Sequence, residues 1–202
     1  MNTKRKLRSL SLVIVLALFL LGSATTGASA NGADHVRWDI ISLSFADGTP
    51  VLSAGGVAFA DAPNNLTIKL TGSGTFVAPA SGGTSGAVTG GGTWETFANG
   101  VSTGSGTYEV TKLADWEFAN FQAPGLIDLI GDTNERANGN AVLVIEYSDG
   151  SRGTLGIGCH GPGAPDGIVE GVIATKGYVT YWFAQPPAPD VDANRTLFHV
   201  RQ

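Results

Sequence analysis

Hydrophobic and polar residues alternate along most of the chain with a period of two. Residues 66–70 read LTIKL and residues 41–45 read ISLSF. Because successive side chains of a strand point to opposite faces, both stretches predict half-buried strands. Residues 141–147, AVLVIEY, are apolar at nearly every position and predict a central strand that is covered on both faces.

Turn-forming residues separate these stretches and predict how they connect. Asp149-Gly150 follows the 141–147 strand and precedes a second apolar run, which is a strong signal for a hairpin. Residues 168–183 predict another hairpin, with its turn at Lys176-Gly177. Residues 196–200 predict a last strand.

One motif occurs three times: TGSGTF at residues 71–76, TGGGTW at 89–94 and TGSGTY at 103–108. The unequal spacing argues against a solenoid and favours a meander of antiparallel strands. Glycines in such strands permit bends and leave space for a neighbouring ring. The whole pattern predicts an all-β fold, an antiparallel β-sandwich or, less favoured, a β-barrel. Only residues 114–121 and 125–130 are interpreted as short helical turns.

The first thirty residues have a different pattern. Four basic residues precede an uncharged apolar stretch at 10–21, and small residues follow up to Ala30. This order predicts a secretory signal peptide at residues 1–30, cleaved near Ala30, and therefore a secreted protein, extracellular or periplasmic. Residues 31–202 are then predicted to form a single Gly-rich all-β domain. No stretch of the mature chain is long and apolar enough to predict a transmembrane segment.

Removing the leader makes the protein more acidic. The chain has 12 basic and 17 acidic residues, and the four charged residues of the leader are all basic. The mature part therefore has a formal charge of −9. Nucleic acid and anionic lipid both require a positive surface, so neither is expected as a partner.

The loop at residues 159–170, CHGPGAPDGIVE, is the densest group of reactive side chains. Its candidate catalytic residues are Cys159, His160, Asp166 and Glu170. A thiol nucleophile needs an imidazole within hydrogen-bond distance, but adjacent strand residues point to opposite faces, so Cys159 and His160 are not expected to pair. The alternatives are a buried thiol and a metal cluster of the other three residues, whose spacing matches no established signature.

Calcium is the more plausible ion, and the sequence contains one candidate loop for it near the last strand. Asp190, Asp192 and Asn194 have the spacing of the first three ligands of a calcium loop. Arg195 stands where such a loop has its glycine, so the match is incomplete. The other interpretation is a solvated turn whose side chains bind backbone groups.

Aromatic residues suggest a ligand-binding surface. Tyr178 and Trp182 are expected on one side of their strand, and Trp94 belongs to the glycine motif. Flat exposed rings are typical of carbohydrate platforms, whereas core packing is the alternative.

Three functions remain. The first is an exported non-catalytic β-sandwich that binds an extracellular ligand, either a carbohydrate or a protein. The second is a secreted hydrolase-like enzyme with its site at residues 159–170. The third is a cell-surface component that assembles edge to edge. The absence of G-x-S-x-G and H-E-x-x-H from the sequence favours the first.

Overall fold

The computed structural model describes residues 32–188 and 192–202, and its regular structure is almost entirely β. The predicted signal peptide lies outside these residues. The strands are β1 Asp34–Ala46, β2 Thr49–Ala54, β3 Ala58–Ala62, β4 Leu66–Leu70, β5 Ser73–Ala78, β6 Val88–Ala98, β7 Val101–Phe121, β8 Ile127–Asp128, β9 Arg136–Tyr147, β10 Arg152–Cys159, β11 Gly171–Lys176, β12 Val179–Tyr181, β13 Phe183–Ala184 and β14 Arg195–Arg201. A 3₁₀ turn at Thr133–Glu135 precedes β9. The all-β prediction is confirmed, and the described ranges contain no helix of the length and hydropathy of a membrane span.

Six strands close into a ring. The order around the ring is β9, β14, β1, β5, β6 and β7, and β7 pairs with β9 to close it. All six neighbouring pairs are antiparallel. This pairing describes a closed barrel. The predicted sandwich is not confirmed, whereas the less favoured barrel agrees with the pairing.

The long strand β7 makes the closure possible. Its first half pairs with β6 and its second half with β9, and three register shifts interrupt the second half. Such bulges bend a strand and increase its twist, which turns β7 from one neighbour to the other. The helical turns predicted at residues 114–121 are therefore wrong. Trp116 and Phe118 are partly buried while Asp115 and Glu117 are exposed, which is the alternation of a strand.

The remaining strands lie outside the ring. β10, β11 and β12 extend the sheet from β9, while β4, β3 and β13 extend it from β6. β2 pairs with β1 and carries the two-residue strand β8 on its other edge, in parallel. The helical turn predicted at residues 125–130 is therefore also wrong, because this stretch contains β8.

Aromatic side chains fill the ring. Trp116 of β7 contacts Phe198 of β14 with ring centroids 4.8 Å apart, and contacts Phe76 of β5 at 5.3 Å. Neither partner strand is adjacent to β7, so these contacts cross the interior. Trp38 is completely buried among them in the same core cluster.

The three glycine motifs lie on neighbouring strands, as a meander requires. Their aromatic residues are all buried: Phe76, Trp94 and Tyr108. A Cβ atom on Gly74 would lie 2.2 Å from the carbonyl oxygen of Thr89 and 2.9 Å from Nε1 of Trp38. Glycine is therefore needed at this position so that the strands and the Trp38 ring can approach each other.

Candidate functional site

Residues 122–135, named the strap here, run across the outer face of the barrel strands β1 and β14. Leu126, Asp128 and Ile130 face inward, whereas Ile127 and Leu129 are exposed. The strap is attached through the β2–β8 pairing and through a 3.0 Å hydrogen bond from the backbone N–H of Leu129 to the carbonyl of Leu52. Its inward side chains cover two cavities and a buried polar cluster.

The first cavity, the strap cavity, has a volume of about 310 Å³. Its wall is mostly aliphatic, with side chains from the β1–β2 hairpin, β14 and the strap: Ile41, Leu43, Pro50, Leu52, Leu126 and Leu197. Its polar groups come from Gln122, His160, Glu170, Thr196 and Arg195. An apolar cavity with a few convergent polar groups is the usual form of a small-molecule site.

Glu170 joins the loop at residues 159–170 to the barrel. Its carboxylate accepts a short hydrogen bond from the backbone N–H of His160 and another, of 2.6 Å, from the backbone N–H of Thr196. The hydroxyl of Thr196 lies 3.3 Å from the same oxygen, Oε1. Burial raises the pKa of Glu170 to about 7, against the lowering effect of these hydrogen bonds. This carboxyl group is therefore poised to change its protonation near neutral pH.

The structure separates the thiol from the imidazole. Cys159 is buried, its Sγ lies 3.3 Å from the carbonyl oxygen of Thr196, and burial raises its pKa. The His160 ring is on the other side, with Nδ1 2.8 Å from the carbonyl oxygen of Ile168. A thiol with a raised pKa and no imidazole contact is not an activated nucleophile. Asp166 is exposed in the loop.

A polar cluster lies beside the strap cavity under the same strap. Asp39 is buried in β1 and accepts two hydrogen bonds from Arg37, at 2.7 and 3.0 Å. Nε2 of the buried His199 lies 2.8 Å from Oδ2 of Asp128, whose side chain is fully buried. Arg37 also donates to the carbonyl of Ile130 at 3.2 Å. The strap is thus held by polar contacts to β1 and β14.

The protonation of Asp128 is set by opposing effects. Burial opposes its ionisation, but hydrogen bonds from the backbone N–H groups of Ile130 and Gly131 and from the His199 ring outweigh burial and lower its pKa. Asp128 is therefore a carboxylate, which is only an acceptor, so His199 donates through Nε2.

The predicted aromatic residues are placed in two different environments. Tyr178, in the turn before β12, and Trp182, just after β12, are exposed, while Tyr181 is buried. Trp94 is only 5% exposed, and the Nζ atom of Lys176 lies 4.1 Å from its ring centroid. The face of Trp94 is therefore occupied within the protein.

Two of the three predicted calcium ligands bind protein groups. Asp192 accepts 2.5 Å hydrogen bonds from the hydroxyl of Ser42 and the backbone N–H of Leu43. Asn194 is buried and accepts a 2.7 Å hydrogen bond from the backbone N–H of Phe59. Asp190 lies outside the described residues. Within 32–188 and 192–202, no group of three or more His, Cys, Asp or Glu residues is arranged to hold a metal ion.

Sequence reasoning missed the polar cluster of Asp39, Asp128, His199 and the neighbouring Arg136. The strap brings these residues together from distant parts of the chain. A signal was present in Asp39 and His199, each of which is a single polar residue inside an apolar run, WDII and LFHV. A polar residue at such a position needs a partner when the strand is covered on both faces.

Comparison of the chain with protein-family models, curated proteins and solved structures found no match.

Proposed function

We propose that this is an exported, non-catalytic binding protein that holds a small, largely apolar molecule in the strap cavity. Export rests on the leader pattern of residues 1–30, and the mature chain then begins at Asn31. The N-terminal sequence of the secreted protein tests this part, because it should start at or near Asn31. A secreted chain that retains residues 1–30 would contradict it.

The strap cavity is the observation that carries the binding proposal. Its volume of about 310 Å³ falls at the lower end of the range of small-molecule sites, roughly 300–1,000 Å³. The aliphatic residues of its wall come from three separate parts of the chain, and the fold holds them around an open space. Such a wall favours a ligand with a compact hydrocarbon or aromatic body.

Glu170 gives the ligand its polar end. A carboxylate has about four acceptor positions. The backbone N–H groups of His160 and Thr196 already donate to it, whereas the hydroxyl of Thr196 donates to the carbonyl of Gly158 at 2.7 Å. Acceptor positions remain on the carboxylate, so the proposed ligand carries a donor such as a hydroxyl or an amine N–H.

Two alternatives have less support. The thiol enzyme lacks the contact between Cys159 and His160 that nucleophilic catalysis needs. Assembly edge to edge needs long free strand edges, but the strands at the ends of the sheet, β8, β12 and β13, have only two or three residues each. Very short edge strands are a common means of preventing such pairing.

A fluorescence titration with N-phenyl-1-naphthylamine tests the binding proposal. This apolar probe carries one N–H donor and becomes brighter in an apolar site. Leu126→Trp should weaken its binding at least tenfold, because Leu126 lines the strap cavity. Leu129→Trp is the matched control, since Leu129 is on the same strap but 67% exposed. Equal binding by both variants and the native chain would contradict the proposal.

The exposed pair Tyr178 and Trp182 supports a second candidate, carbohydrate binding on the outer face of β12. Tyr178 lies in the turn before β12, and Trp182 follows the last residue of that strand. Their side chains are fully and 64% exposed respectively. Retention on insoluble polysaccharide by the native chain, lost on replacing both rings by alanine, would support this candidate. No retention on any polysaccharide would contradict it.

A further inference from the structure

One end of the barrel opens onto a cavity of about 270 Å³, named the mouth cavity here. Its rim includes Asp34 at the start of β1, Ala78 at the end of β5 and Gln202 just after β14. Asp34 and Ala78 are register partners, so these two strand ends lie side by side. The mouth of a β-barrel is one of the preferred places for a small-molecule site.

Two aromatic residues of β7, Trp116 and Phe118, line the mouth cavity. The Trp116 ring extends into the barrel, where its edge contacts are with Phe76 and Phe198. Both Trp116 and Phe118 are nevertheless only partly buried, so part of each ring is accessible from the cavity. These rings give the cavity flat apolar surfaces that carry a negative potential on their faces.

The loop between β5 and β6, residues 79–87, borders the mouth cavity. Backbone hydrogen bonds of 3.1 and 2.8 Å join Ser85 of this loop to Leu113 of β7 and hold the loop beside the rim. Gly82 and Gly83 line the cavity, and no atom lies within 4 Å of a Cβ atom placed on either of them. A ligand can therefore enter past these two glycines.

Asp34 gives the mouth cavity a carboxylate. Its Oδ2 atom accepts a 3.0 Å hydrogen bond from Nε1 of Trp116, whereas Oδ1 accepts none from the residues that the structure describes. The hydrogen bond holds the carboxylate beside the indole ring. Within residues 32–188 and 192–202, the lining of the cavity includes no lysine, arginine or histidine, and Asp34 forms no ion pair.

The basic residues next to the rim in the chain have other positions. His35 and Arg201 both line the second cavity under the strap, of about 590 Å³, on the outer side of the barrel. Arg201 also pairs with Glu135 at 2.9 Å. Because adjacent residues of a strand point to opposite faces, these side chains are directed away from Asp34 and Gln202. The charge of Asp34 is therefore available to a ligand.

We propose that the mouth cavity binds a small organic ammonium ion. The face of an aromatic ring attracts a cation, and the carboxylate of Asp34 beside the Trp116 ring adds to this attraction. The formal charge of −9 on the predicted mature chain also favours a cation over an anion. The mouth cavity shares no lining residue with the strap cavity, so this site does not depend on the function proposed there.

A comparison of choline with 3,3-dimethyl-1-butanol on the native chain tests the proposal. The two molecules have the same shape, but the alcohol has a carbon atom in place of the charged nitrogen. ¹H–¹⁵N NMR spectra follow the indole N–H signals, and Trp116→Phe identifies the signal of Trp116. This signal should shift and saturate with choline at a concentration about tenfold or more below that needed with the alcohol. The Trp94 signal should not move, because its Nε1 donates to the carbonyl of Thr107 away from the cavity.

A charge-removing variant assigns the selectivity to Asp34. Asp34→Asn keeps an oxygen that accepts from Nε1 of Trp116 but has no charge, so its affinity for choline should fall about tenfold or more. Asp47→Asn, in the exposed β1–β2 turn, is the matched control and should bind as the native chain does. Equal affinity of the native chain for choline and the alcohol, no shift of Trp116, or unchanged choline affinity in Asp34→Asn would overturn the proposal. The comparison on the native chain decides the question if Asp34→Asn does not fold.

Discussion

Replacing Glu170 by glutamine should change how the stability of the protein depends on pH. The pKa of Glu170 in the folded chain is about 7, against an ordinary value of 4.5, and burial is the main cause. A proton therefore binds more tightly to the folded state than to the unfolded state. The stabilisation by this proton is fully present below pH 4.5 and is lost as the pH rises through 7. At higher pH the contribution of Glu170 to the unfolding free energy no longer changes.

The size of the effect follows from the two pKa values. One pKa unit corresponds to about 1.4 kcal/mol, and the pKa of Glu170 is shifted from 4.5 to about 7. The unfolding free energy therefore falls by about 3 kcal/mol as the pH rises from below 4.5 to above 7. About 2.5 kcal/mol of this loss falls between pH 5 and pH 8. This is a large part of the 5–15 kcal/mol that stabilises a typical domain.

Glutamine does not titrate, so Glu170→Gln lacks this loss. Its amide nitrogen cannot accept a hydrogen bond, and one of the bonds from His160 or Thr196 is therefore lost at every pH, at a cost of about 1–2 kcal/mol. The variant should be less stable than the native chain at pH 5. The unfolding free energy of the variant, relative to that of the native chain, should be about 2.5 kcal/mol higher at pH 8 than at pH 5.

Urea unfolding at pH 5 and pH 8 measures this change, with the linear extrapolation applied to each protein. Glu117→Gln is the matched control, because Glu117 is exposed on β7. Its unfolding free energy should follow that of the native chain at both values of pH. A constant difference between Glu170→Gln and the native chain would refute the assignment of a raised pKa to Glu170.

Three further predictions concern the packing. Cys159 should react with a thiol reagent about a hundredfold or more slower in the folded chain than in urea, since it is buried and its pKa is raised; similar rates would contradict this. Gly74→Ala should lower the unfolding free energy by about 2–3 kcal/mol, whereas Gly86→Ala, with no atom near its added Cβ, should change it by less than about 0.5 kcal/mol. Lys176→Met should cost about 2 kcal/mol in urea unfolding, because its ammonium group contacts two aromatic rings and Asp149; an unchanged midpoint would contradict this.

The strands were predictable because their signal is local. The alternation at residues 66–70 and 41–45 appears as β4 and as part of β1, and the apolar run at 141–147 is the end of β9. The last predicted strand, residues 196–200, lies within β14. Closure of the ring was not predictable, since it depends on bulges that let β7 pair with two neighbours.

The candidate site was predictable only in part. The turn-rich loop at residues 159–170 was singled out from its composition, and two of its four candidates, His160 and Glu170, line the strap cavity. The polar cluster was missed because its contacts join residues far apart in the chain, such as Asp128 and His199. Residue type alone also suggested Trp94 as a ligand platform, and only the packing shows that Lys176 covers its ring.

Methyl NMR spectra recorded during addition of N-phenyl-1-naphthylamine test the binding of an apolar molecule in the strap cavity most directly. The methyl signals of Ile41, Leu43 and Leu126, which line this cavity, should shift together and saturate. Those of Ile173 and Val169, which are exposed on another face and line a different cavity, should stay unchanged. Shifts confined to Ile173 and Val169, or no shifts at all, would contradict the account.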